Sequence, residues 1–221
     1  MSNQLATENI LLSERSLLLE GLSEIGLSPS DQQIELLMRY LELFIKWNKA
    51  YNLSAIRDPE AMVTLHLLDS LAVAPYFADK PAIRVLDVGT GGGLPGIPLA
   101  IMYPHMAFTL LDSAGKKMRF LFQVANELGL TNVQVQNMRV EKFQPVDKFD
   151  IIISRAFASI RDFVTGAGHL LKDDGAFWAM KGQNPVDELS EMGKHYIVAG
   201  SHRLVVPGLD AERCLIQLQP V

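Results

Sequence analysis

A glycine-rich segment near the middle of the chain constrains the fold more than any other stretch. It begins with the apolar run Arg84–Val88, continues through the loop Gly89–Gly93 and leads into an apolar helix predicted over Leu94–Tyr103. This order predicts a strand, a tight loop and a helix. Glycines fit such a loop because the backbone bends sharply and approaches a ligand closely, which a Cβ atom would obstruct. A helix that starts at the same point adds unpaired N–H donors, so the loop is predicted to cradle a nucleotide.

Two registers of this loop imply different ligands. Gly91, Gly93 and Gly96 fit G-x-G-x-x-G, in which backbone N–H groups meet the pyrophosphate of a dinucleotide. Asp87 and Gly89 begin the pattern D-x-G-x-G-x-G, which places a carboxylate at the end of the strand, facing the loop. That carboxylate would repel a pyrophosphate and attract a ligand with an ammonium and a sulfonium, so it favours S-adenosylmethionine over NAD. The alternative, a buried turn without a ligand, leaves the cost of so many glycines unexplained.

Strands and helices alternate after the loop, which predicts an α/β sheet whose ligand lies beyond the carboxyl ends of the strands. The second strand, Phe108–Leu111, is followed by Asp112, whose carboxylate is placed to bind a ribose diol. Glu141 follows the third strand, Val133–Val135, where an adenine edge would lie, with plain loop charge as the alternative. The later predicted strands are Ala176–Met180, after a turn at Asp173–Gly175, and a closing pair at Ile197–Val206 and Arg213–Gln219.

The fourth predicted strand, Phe149–Ile153, ends in the tetrapeptide SRAF at 154–157. Amino-directed nucleic-acid methyltransferases carry an Asn or Asp, two prolines and an aromatic residue at this place, and that pattern is absent from the sequence. Enzymes that methylate carbon 5 of pyrimidines need a nucleophilic cysteine, whereas Cys214 lies near the C-terminus in a predicted strand. Both reactions are therefore disfavoured. Arg155 is a candidate functional side chain because of its place at the end of a central strand, with an ordinary salt bridge as the alternative.

The composition indicates a soluble globular protein. Of its 221 residues, 48% are hydrophobic and 20% are charged, and no window approaches the roughly eighteen continuous apolar residues that a membrane span requires. The N-terminus lacks a basic and then apolar signal pattern, so a cytoplasmic location is expected. The single cysteine rules out an internal disulfide, and the five histidines show no ligand spacing, so no metal is expected.

The net charge of −5 argues against a nucleic-acid partner, but its distribution changes that view. Residues 1–80 contain eleven acidic and six basic side chains, whereas residues 81–221 contain fourteen of each. The second part can therefore present a basic face near the loop, although a solvated surface is the commoner fate of such charges. The basic side chains expected around the loop are Lys116, Lys117, Arg119, Arg139, Lys142 and Arg155.

The first part of the chain is predicted to be helical. One helix is expected around Ile10–Leu22. Ser30 and Gln33 form a capping box for a second helix, whose apolar spacing continues up to Trp47. Asn48 and the residues after it are then expected to break the pattern.

A third predicted helix begins at Asp58-Pro59, with Asp as N-cap, and runs to about Ala74. His66 and Asp69 lie one turn apart on it. A helix-surface pair that packs two units together is favoured over a contact with substrate or with the ligand loop. The turn-rich stretch after this helix divides the chain into a helical extension, 1–78, and an α/β domain, 79–221.

Six short segments of the chain together match the motifs of one protein family. They are WNKAYNL at 47–53, HLLDSL at 66–71, LDVGTGGGLPGIP at 86–98, LDS with GKKMRFL within 111–121, RVE at 139–141 and SRAFAS at 154–159. Together they resemble the bacterial small-subunit ribosomal RNA guanine-N7 methyltransferases, the glucose-inhibited division protein B family, over about residues 30–182. The segments GLPGIP and SRAFAS are specific to that family. Its members often have proline or alanine where this chain has Gly92, a change expected to loosen the turn without altering its role.

The resemblance implies a class I, Rossmann-like S-adenosylmethionine-dependent methyltransferase fold. Its sheet is expected to have seven strands, mostly parallel, with a small N-terminal helical extension. The implied reaction is methyl transfer to N7 of guanine 527, in the 530 loop of 16S rRNA, with the small ribosomal subunit as partner and without a metal. A monomer that binds neither DNA nor membrane is expected.

The resemblance also assigns site residues. Carried over by motif, the cofactor contacts are Gly89, Leu94, Val140, Glu141 and Arg155, and the residue patterns add Asp87, Gly91 and Asp112. Contacts to RNA phosphates are expected from Lys116, Lys117, Arg119 and Lys181, with surface packing as the alternative. Guanine N7 carries an in-plane lone pair and no proton, so no catalytic acid or base is named. Arg155 has two candidate duties, since it can hold the cofactor or meet the RNA.

Two other classes stay open at this point. A nicotinamide-dependent oxidoreductase would use the G-x-G-x-x-G register, and Asp87 argues against it. A non-catalytic RNA-binding module would explain the missing acid–base pair. That module would not need an intact glycine loop together with both Asp87 and Asp112.

Overall fold

A computed structural model of the protein describes residues 12–155, 157 and 159–221. In these residues seven strands form one sheet in the order β3-β2-β1-β4-β5-β7-β6. The strands β1 to β5 pair in parallel with one another, and β7 runs antiparallel between β5 and β6. The strands are β1 Arg84–Val88, β2 Ala107–Asp112, β3 Val133–Asn137, β4 Phe149–Ser154, β5 Leu171–Lys181, β6 Tyr196–Leu204 and β7 Arg213–Pro220. The predicted seven-stranded, mostly parallel sheet is confirmed.

The helices cover both faces of this sheet. They are α1 Leu12–Ile25, α2 Asp31–Tyr51, α3 at 59–71, α4 Gly96–Met102, α5 Gly115–Glu127, α6 Ile160–Ala167 and α7 Val186–Ser190. Short 3-10 turns lie at Ala74–Phe77, Val140–Lys142 and Gly168–Leu170. Among the described residues, no helix combines the length and the apolar character needed to cross a membrane.

The capping box at the start of α2 is confirmed, but the predicted end of this helix is wrong. Ser30 Oγ accepts from Gln33 N, and Gln33 Oε1 accepts from Ser30 N. The helix continues past Trp47 to Tyr51. Asn48 does not break it because its side chain is buried, where it donates to Ile56 O at 2.8 Å and accepts from Ser54 N at 2.8 Å. The helix therefore fixes the loop that follows it.

The helix α3 begins as predicted and ends earlier. Asp58 Oδ2 accepts from Ala61 N at 2.8 Å, and Pro59 occupies the first helical position. The segment contains a π-helical stretch, Val63–Leu68, and ends at Leu71 rather than near Ala74. A 3-10 turn follows, and Pro75 within it has no N–H to continue an α-helix.

The strand β5 is longer than predicted. The residues at 173–175, expected to form a turn, lie inside Leu171–Lys181. The register between β4 and β5 shifts there, because Phe149 pairs with Leu171 while Ile151 pairs with Ala176. The extra residues bulge out of the ladder, and Lys172 pairs with Asp150 at 2.7 Å beside the shift.

Two apolar clusters hold the layers together. One lies on the sheet face covered by α1 to α5 and includes Leu18, Leu37 and Leu67 together with Phe108 of the sheet. The other lies on the opposite face, where α6 packs through Phe163. The first cluster joins side chains from both sides of the predicted boundary at 78, so the N-terminal helices and the sheet share one core. The division into two domains stays a prediction.

Candidate functional site

The glycine loop crosses the carboxyl end of β1. Gly89, Gly91 and Gly93 have φ values of 69°, 60° and 94°, a region that residues with a Cβ rarely adopt. Gly89 N and Thr90 N both donate to Leu111 O, at 2.8 and 3.2 Å, which ties the loop to the end of β2. The order of strand, tight loop and helix is therefore confirmed.

Asp87 lies beneath this loop and braces it. Its Oδ2 atom accepts from Thr90 Oγ1 at 2.6 Å and from Gly96 N at 2.9 Å. Gly96 permits the contact because an added Cβ would come within 2.8 Å of the same oxygen. The carboxylate is fully buried, and burial raises the pKa of Asp87 to about 6. Asp87 faces the loop, as the sequence predicts, but it is absent from the described linings of the cavities around it.

Gly92 has a packing role that its sequence context did not indicate. An added Cβ would lie 2.4 Å from Phe44 Cε2, so the missing side chain leaves room for the Phe44 ring. Tyr40, one turn before Phe44 on α2, donates its hydroxyl to Gly92 O at 2.7 Å. The glycine loop is thus fixed by hydrogen bonds from two sides. Asp87 binds it on the side of the sheet, and Tyr40 binds it on the side of α2.

A cavity of about 240 Å³, called here the β2 cavity, opens at the carboxyl ends of β1 and β2. Its lining brings together four predicted cofactor residues, which are Gly89, Asp112, Val140 and Glu141. Asp112 is anchored by the backbone, because its Oδ2 accepts from Gly91 N at 3.0 Å and its Oδ1 accepts from Ala114 N at 2.9 Å. Apolar walls from Leu111, Met138 and Phe157 complete the lining. A flat ring between such walls and hydroxyl groups near the two carboxylates would fit this cavity.

A second cavity of about 190 Å³, the loop cavity, lies on the other side of Gly89. Its lining includes the predicted residues Gly91, Leu94 and Arg155, and also Lys117. Gly89 lines both cavities. A ligand with two joined parts could therefore occupy both across this one glycine, where no Cβ intrudes.

His66 occupies the less favoured of its two predicted places, a contact with the ligand loop. It lines the loop cavity, with 7% of its surface exposed, and its ring lies 5.1 Å from the Phe44 ring. Its Nε2 atom is 3.0 Å from Ser54 Oγ. Burial and the nearby Arg155 lower the pKa of His66 to about 4, so the imidazole is neutral at pH 7. The expected surface pair is therefore wrong. A usable signal was present, since Met62 and Val63, about one turn before His66, and its neighbours Leu65 and Leu67 are apolar.

Asp69 is also buried and joins two distant arginines. It accepts from Arg155 Nη1 at 2.9 Å and from Arg213 Nε at 2.7 Å, and its side chain is 5% exposed. It does link α3 to the sheet, as predicted for a packing residue. Arg213 was missed altogether, because it lies 144 residues from Asp69 and no local pattern connects them.

The four predicted RNA contacts occupy two places. Lys116 and Arg119 are exposed on α5, and Lys117 is half-buried beside the glycine loop, so these three form one basic group. Lys181 lies apart from them at the end of β5. Its side chain is 14% exposed, and its Nζ donates to Glu188 Oε2 at 2.8 Å and to Phe157 O at 3.3 Å. Within the described ranges, no group of three or more His, Cys, Asp or Glu side chains is placed to hold a metal ion.

Fold and site together define a class of protein. The strand order, the single antiparallel strand β7 and the cavities beyond β1 and β2 are those of a class I, Rossmann-like methyltransferase. The glycopeptide N-methyltransferase MtfA, solved with S-adenosylmethionine, superposes with a TM-score of 0.58 at 11% identity, covering 71% of this chain and 95% of that one. TrmN from Thermus thermophilus gives a TM-score of 0.56 at 18% identity, covering 69% and 48%. At these identities the likeness concerns the fold.

Sequence comparison then gives the family. The family model for rRNA small subunit methyltransferase G, GidB, matches residues 33–216. Ribosomal RNA small subunit methyltransferase G from Saccharophagus degradans is 62% identical over 90% of this chain and 88% of that protein. The protein of the same name from Escherichia coli is 47% identical over 95% and 98%. The chain belongs to the rRNA small subunit methyltransferase G family and is a methyltransferase, which confirms the resemblance found in the sequence.

Proposed function

We propose that this methyltransferase transfers the methyl group of S-adenosylmethionine to N7 of guanine 527 in 16S rRNA. The observation that carries the proposal is the convergence of Gly89, Asp112, Val140 and Glu141 on one cavity that shares Gly89 with the loop cavity. This arrangement fits a donor built from a nucleoside and an amino-acid arm. The family membership supports the choice of a small-subunit rRNA as substrate.

The residues of both cavities suit the two parts of the donor. In the β2 cavity Val140 and its apolar neighbours would contact the adenine, while Asp112 and Glu141 would accept hydrogen bonds from hydroxyl or amino groups. In the loop cavity Gly91 and Leu94 would hold the methionine arm. When bound, the donor supplies an electrophilic methyl group on a positively charged sulfur. Asp87 would contribute through its hydrogen bonds, which fix the shape of the loop that would hold the donor.

The chemistry requires positioning more than proton transfer. Guanine N7 has a lone pair and no proton, so no general base is needed, and orientation supplies most of the acceleration. The bond formed joins N7 to the methyl carbon, the bond broken joins that carbon to sulfur, and the positive charge passes from sulfur to the purine. His66 is neutral at pH 7 and adds no charge beside this centre.

The substrate side of the proposal concerns the basic group on α5. Lys116, Lys117 and Arg119 would contact RNA phosphates around the opening of the loop cavity. Lys181 would contact the RNA separately, from the end of β5, where it is paired with Glu188. We expect the protein to act as a monomer, and the ribosomal substrate supports action in the cytoplasm.

Methyl transfer from radiolabelled S-adenosylmethionine tests the proposal. Unmethylated small subunits and naked 16S rRNA are incubated with the protein, the RNA is digested to nucleosides, and the labelled nucleoside and its position are identified. We expect 7-methylguanosine at guanine 527. Another nucleoside, another position or the absence of transfer to both substrates would overturn the proposal, and calorimetry with S-adenosylhomocysteine reports separately whether the cofactor site is intact.

A further inference from the structure

A third cavity, of about 400 Å³, lies next to the loop cavity and has no role in cofactor binding as described above. It is called here the cationic cavity, and its volume is within the range of about 300–1,000 Å³ typical of small-molecule sites. Its lining joins the helix α3 to the ends of β5, β6 and β7. The side chains that matter here are His66, Asp69, Arg155, Lys181 and Arg213, with Gly182 beside them.

The cationic cavity adjoins the place where the methyl group would lie. His66 and Arg155 line both it and the loop cavity. The two cavities therefore adjoin at His66 and Arg155, so a group bound in the cationic cavity would lie next to these two side chains. His66 is neutral and aromatic, so it offers an uncharged wall to a flat ring.

The charges of the cationic cavity suit one nucleotide. Its lining carries three cations, Arg155, Lys181 and Arg213, and one carboxylate, Asp69. Glu188 pairs with Lys181 at 2.8 Å, so one positive charge remains without a matching acid among these five groups. A nucleotide within RNA brings one phosphate charge, which balances it. A free, neutral base would leave the excess in place.

The two guanidinium groups are held rigidly. Asp69 accepts from Arg155 at 2.9 Å and from Arg213 at 2.7 Å, while Arg155 Nη1 also donates to Leu65 O at 3.2 Å and Arg213 Nη1 to Glu212 O at 2.9 Å. Side chains fixed in this way lose little entropy when they bind a ligand. An arginine that donates to guanine O6 alone, rather than to O6 and N7 together, leaves the N7 lone pair free for the methyl group.

We propose that the cationic cavity receives the target guanosine, turned out of the RNA, with Arg155 donating to O6 and Arg213 to the adjoining phosphate. Asp69 is a positioning residue that fixes both arginines. The assignment rests on the proposed function and adds to it the place of the substrate base. Enzymes that modify a base inside a nucleic acid generally take that base out of its stack in this way.

Gly182 provides a direct test, because a side chain there would project into the cavity. An added Cβ would lie 3.9 Å from Arg213 Nη1, in ordinary van der Waals contact, and within the described part of the chain no other atom lies within 4 Å of it. We expect Gly182→Ala to have a small effect and Gly182→Leu to reduce kcat/KM for RNA by about a hundredfold, as expected when a substrate is displaced from its reactive position. The affinity for S-adenosylhomocysteine should not change in either variant.

Arginine variants test the same site without filling it. Arg213→Gln should raise KM for RNA about tenfold, the loss expected for a charge-assisted hydrogen bond. Arg203→Gln is the matched control, since Arg203 is exposed on β6 and is not part of the cavity lining. Asp69→Asn should also raise KM for RNA and leave cofactor affinity intact, whereas a purely structural role would lower the melting temperature without a selective change in KM.

The outcomes separate the two proposals. If the wild type forms no 7-methylguanosine, the proposed function fails. If the wild type forms it and Gly182→Leu does so with unchanged kinetics, the cationic cavity is not the base site. Equal losses of RNA and cofactor affinity in Arg213→Gln would also overturn the assignment.

Discussion

The β2 cavity and the cationic cavity differ in how the chain builds them. Four lining residues of the β2 cavity, Gly89, Asp112, Val140 and Glu141, lie at or just after the carboxyl ends of β1, β2 and β3, three neighbouring parallel strands. The cationic cavity draws Asp69, Arg155 and Arg213 from places up to 144 residues apart. The first is held by backbone hydrogen bonds and the second by side-chain ion pairs. Its ion pairs therefore make the cationic cavity the more sensitive of the two to single substitutions.

Removing Asp69 should have the largest effect on folding. Asp69→Leu leaves two arginines without their shared partner, and breaking a buried pair costs about 3–5 kcal/mol. The low end is expected because each arginine keeps about a quarter of its side chain exposed. Urea denaturation measures the free energy of unfolding. Asp147→Leu is the control, because its pair with Arg84 is exposed and should cost about 1 kcal/mol or less. Equal effects would show that the buried ion pairs of Asp69 stabilise the fold no more than an exposed pair does.

Asp87→Asn should change how stability depends on pH. Burial raises the pKa of Asp87 to about 6 from its ordinary value of 3.8. Between these values the unfolded chain has lost the proton that the folded protein keeps, so the stabilisation by Asp87 is complete below about pH 4 and is lost as pH rises through 6. The variant cannot ionise, so its stability relative to the wild type should rise by about 3 kcal/mol over that window.

Asp150→Asn is the matched control, because Asp150 should change stability with pH in the opposite direction. Burial raises the pKa of Asp150, but hydrogen bonds from Lys172 and from Arg84 N outweigh it and lower this pKa. Its stabilisation is present above the unfolded pKa and is lost as pH falls. Denaturation curves from pH 4 to 7 that show the same slope for Asp87→Asn and the wild type would contradict the role of the buried carboxylate beneath the loop.

Substitution of Asp112 is expected to have a smaller effect, which concerns cofactor binding. Asp112→Asn keeps an acceptor for one loop N–H but removes the charge beside the β2 cavity. The affinity for S-adenosylhomocysteine should fall about tenfold, the loss of one charge-assisted hydrogen bond. Calorimetry measures it, with the exposed Asp173→Asn as control. An unchanged affinity would separate this cavity from the nucleoside.

The smallest effect is expected at the surface of α5. Lys116→Gln should weaken RNA binding a few-fold and lower the slope of log affinity against log salt by about 1, as for one lost phosphate contact. Filter binding at several salt concentrations measures both quantities. Lys194→Gln, exposed before β6, is the control and should leave the slope unchanged. If Lys116→Gln behaves like this control, the basic group on α5 does not include Lys116.

The sequence predicted the sheet, the glycine loop and the nearness of Asp112 and Glu141 to that loop, because parallel strands bring their carboxyl ends to one edge. The family resemblance added Val140. The sequence failed at elements whose limits depend on packing. The helix α2 passes Asn48 because that side chain finds partners in the next loop. The strand β5 absorbs 173–175 as a bulge against β4, which no local pattern indicates.

The sequence by itself determined the family and the fold, since these depend on motifs and on local patterns of glycine, apolar and acidic residues, and the family resemblance supplied Gly89, Val140 and Glu141 of the β2 cavity. Only the tertiary structure decided that Asp87 is fully buried and accepts from Thr90, and that His66 and Asp69 are buried near the loop. The same is true of Arg213, which reaches Asp69 from the last strand. A buried ion pair forms only where distant segments of the chain pack together. The spacing of residues along the sequence does not predict which distant segments do so.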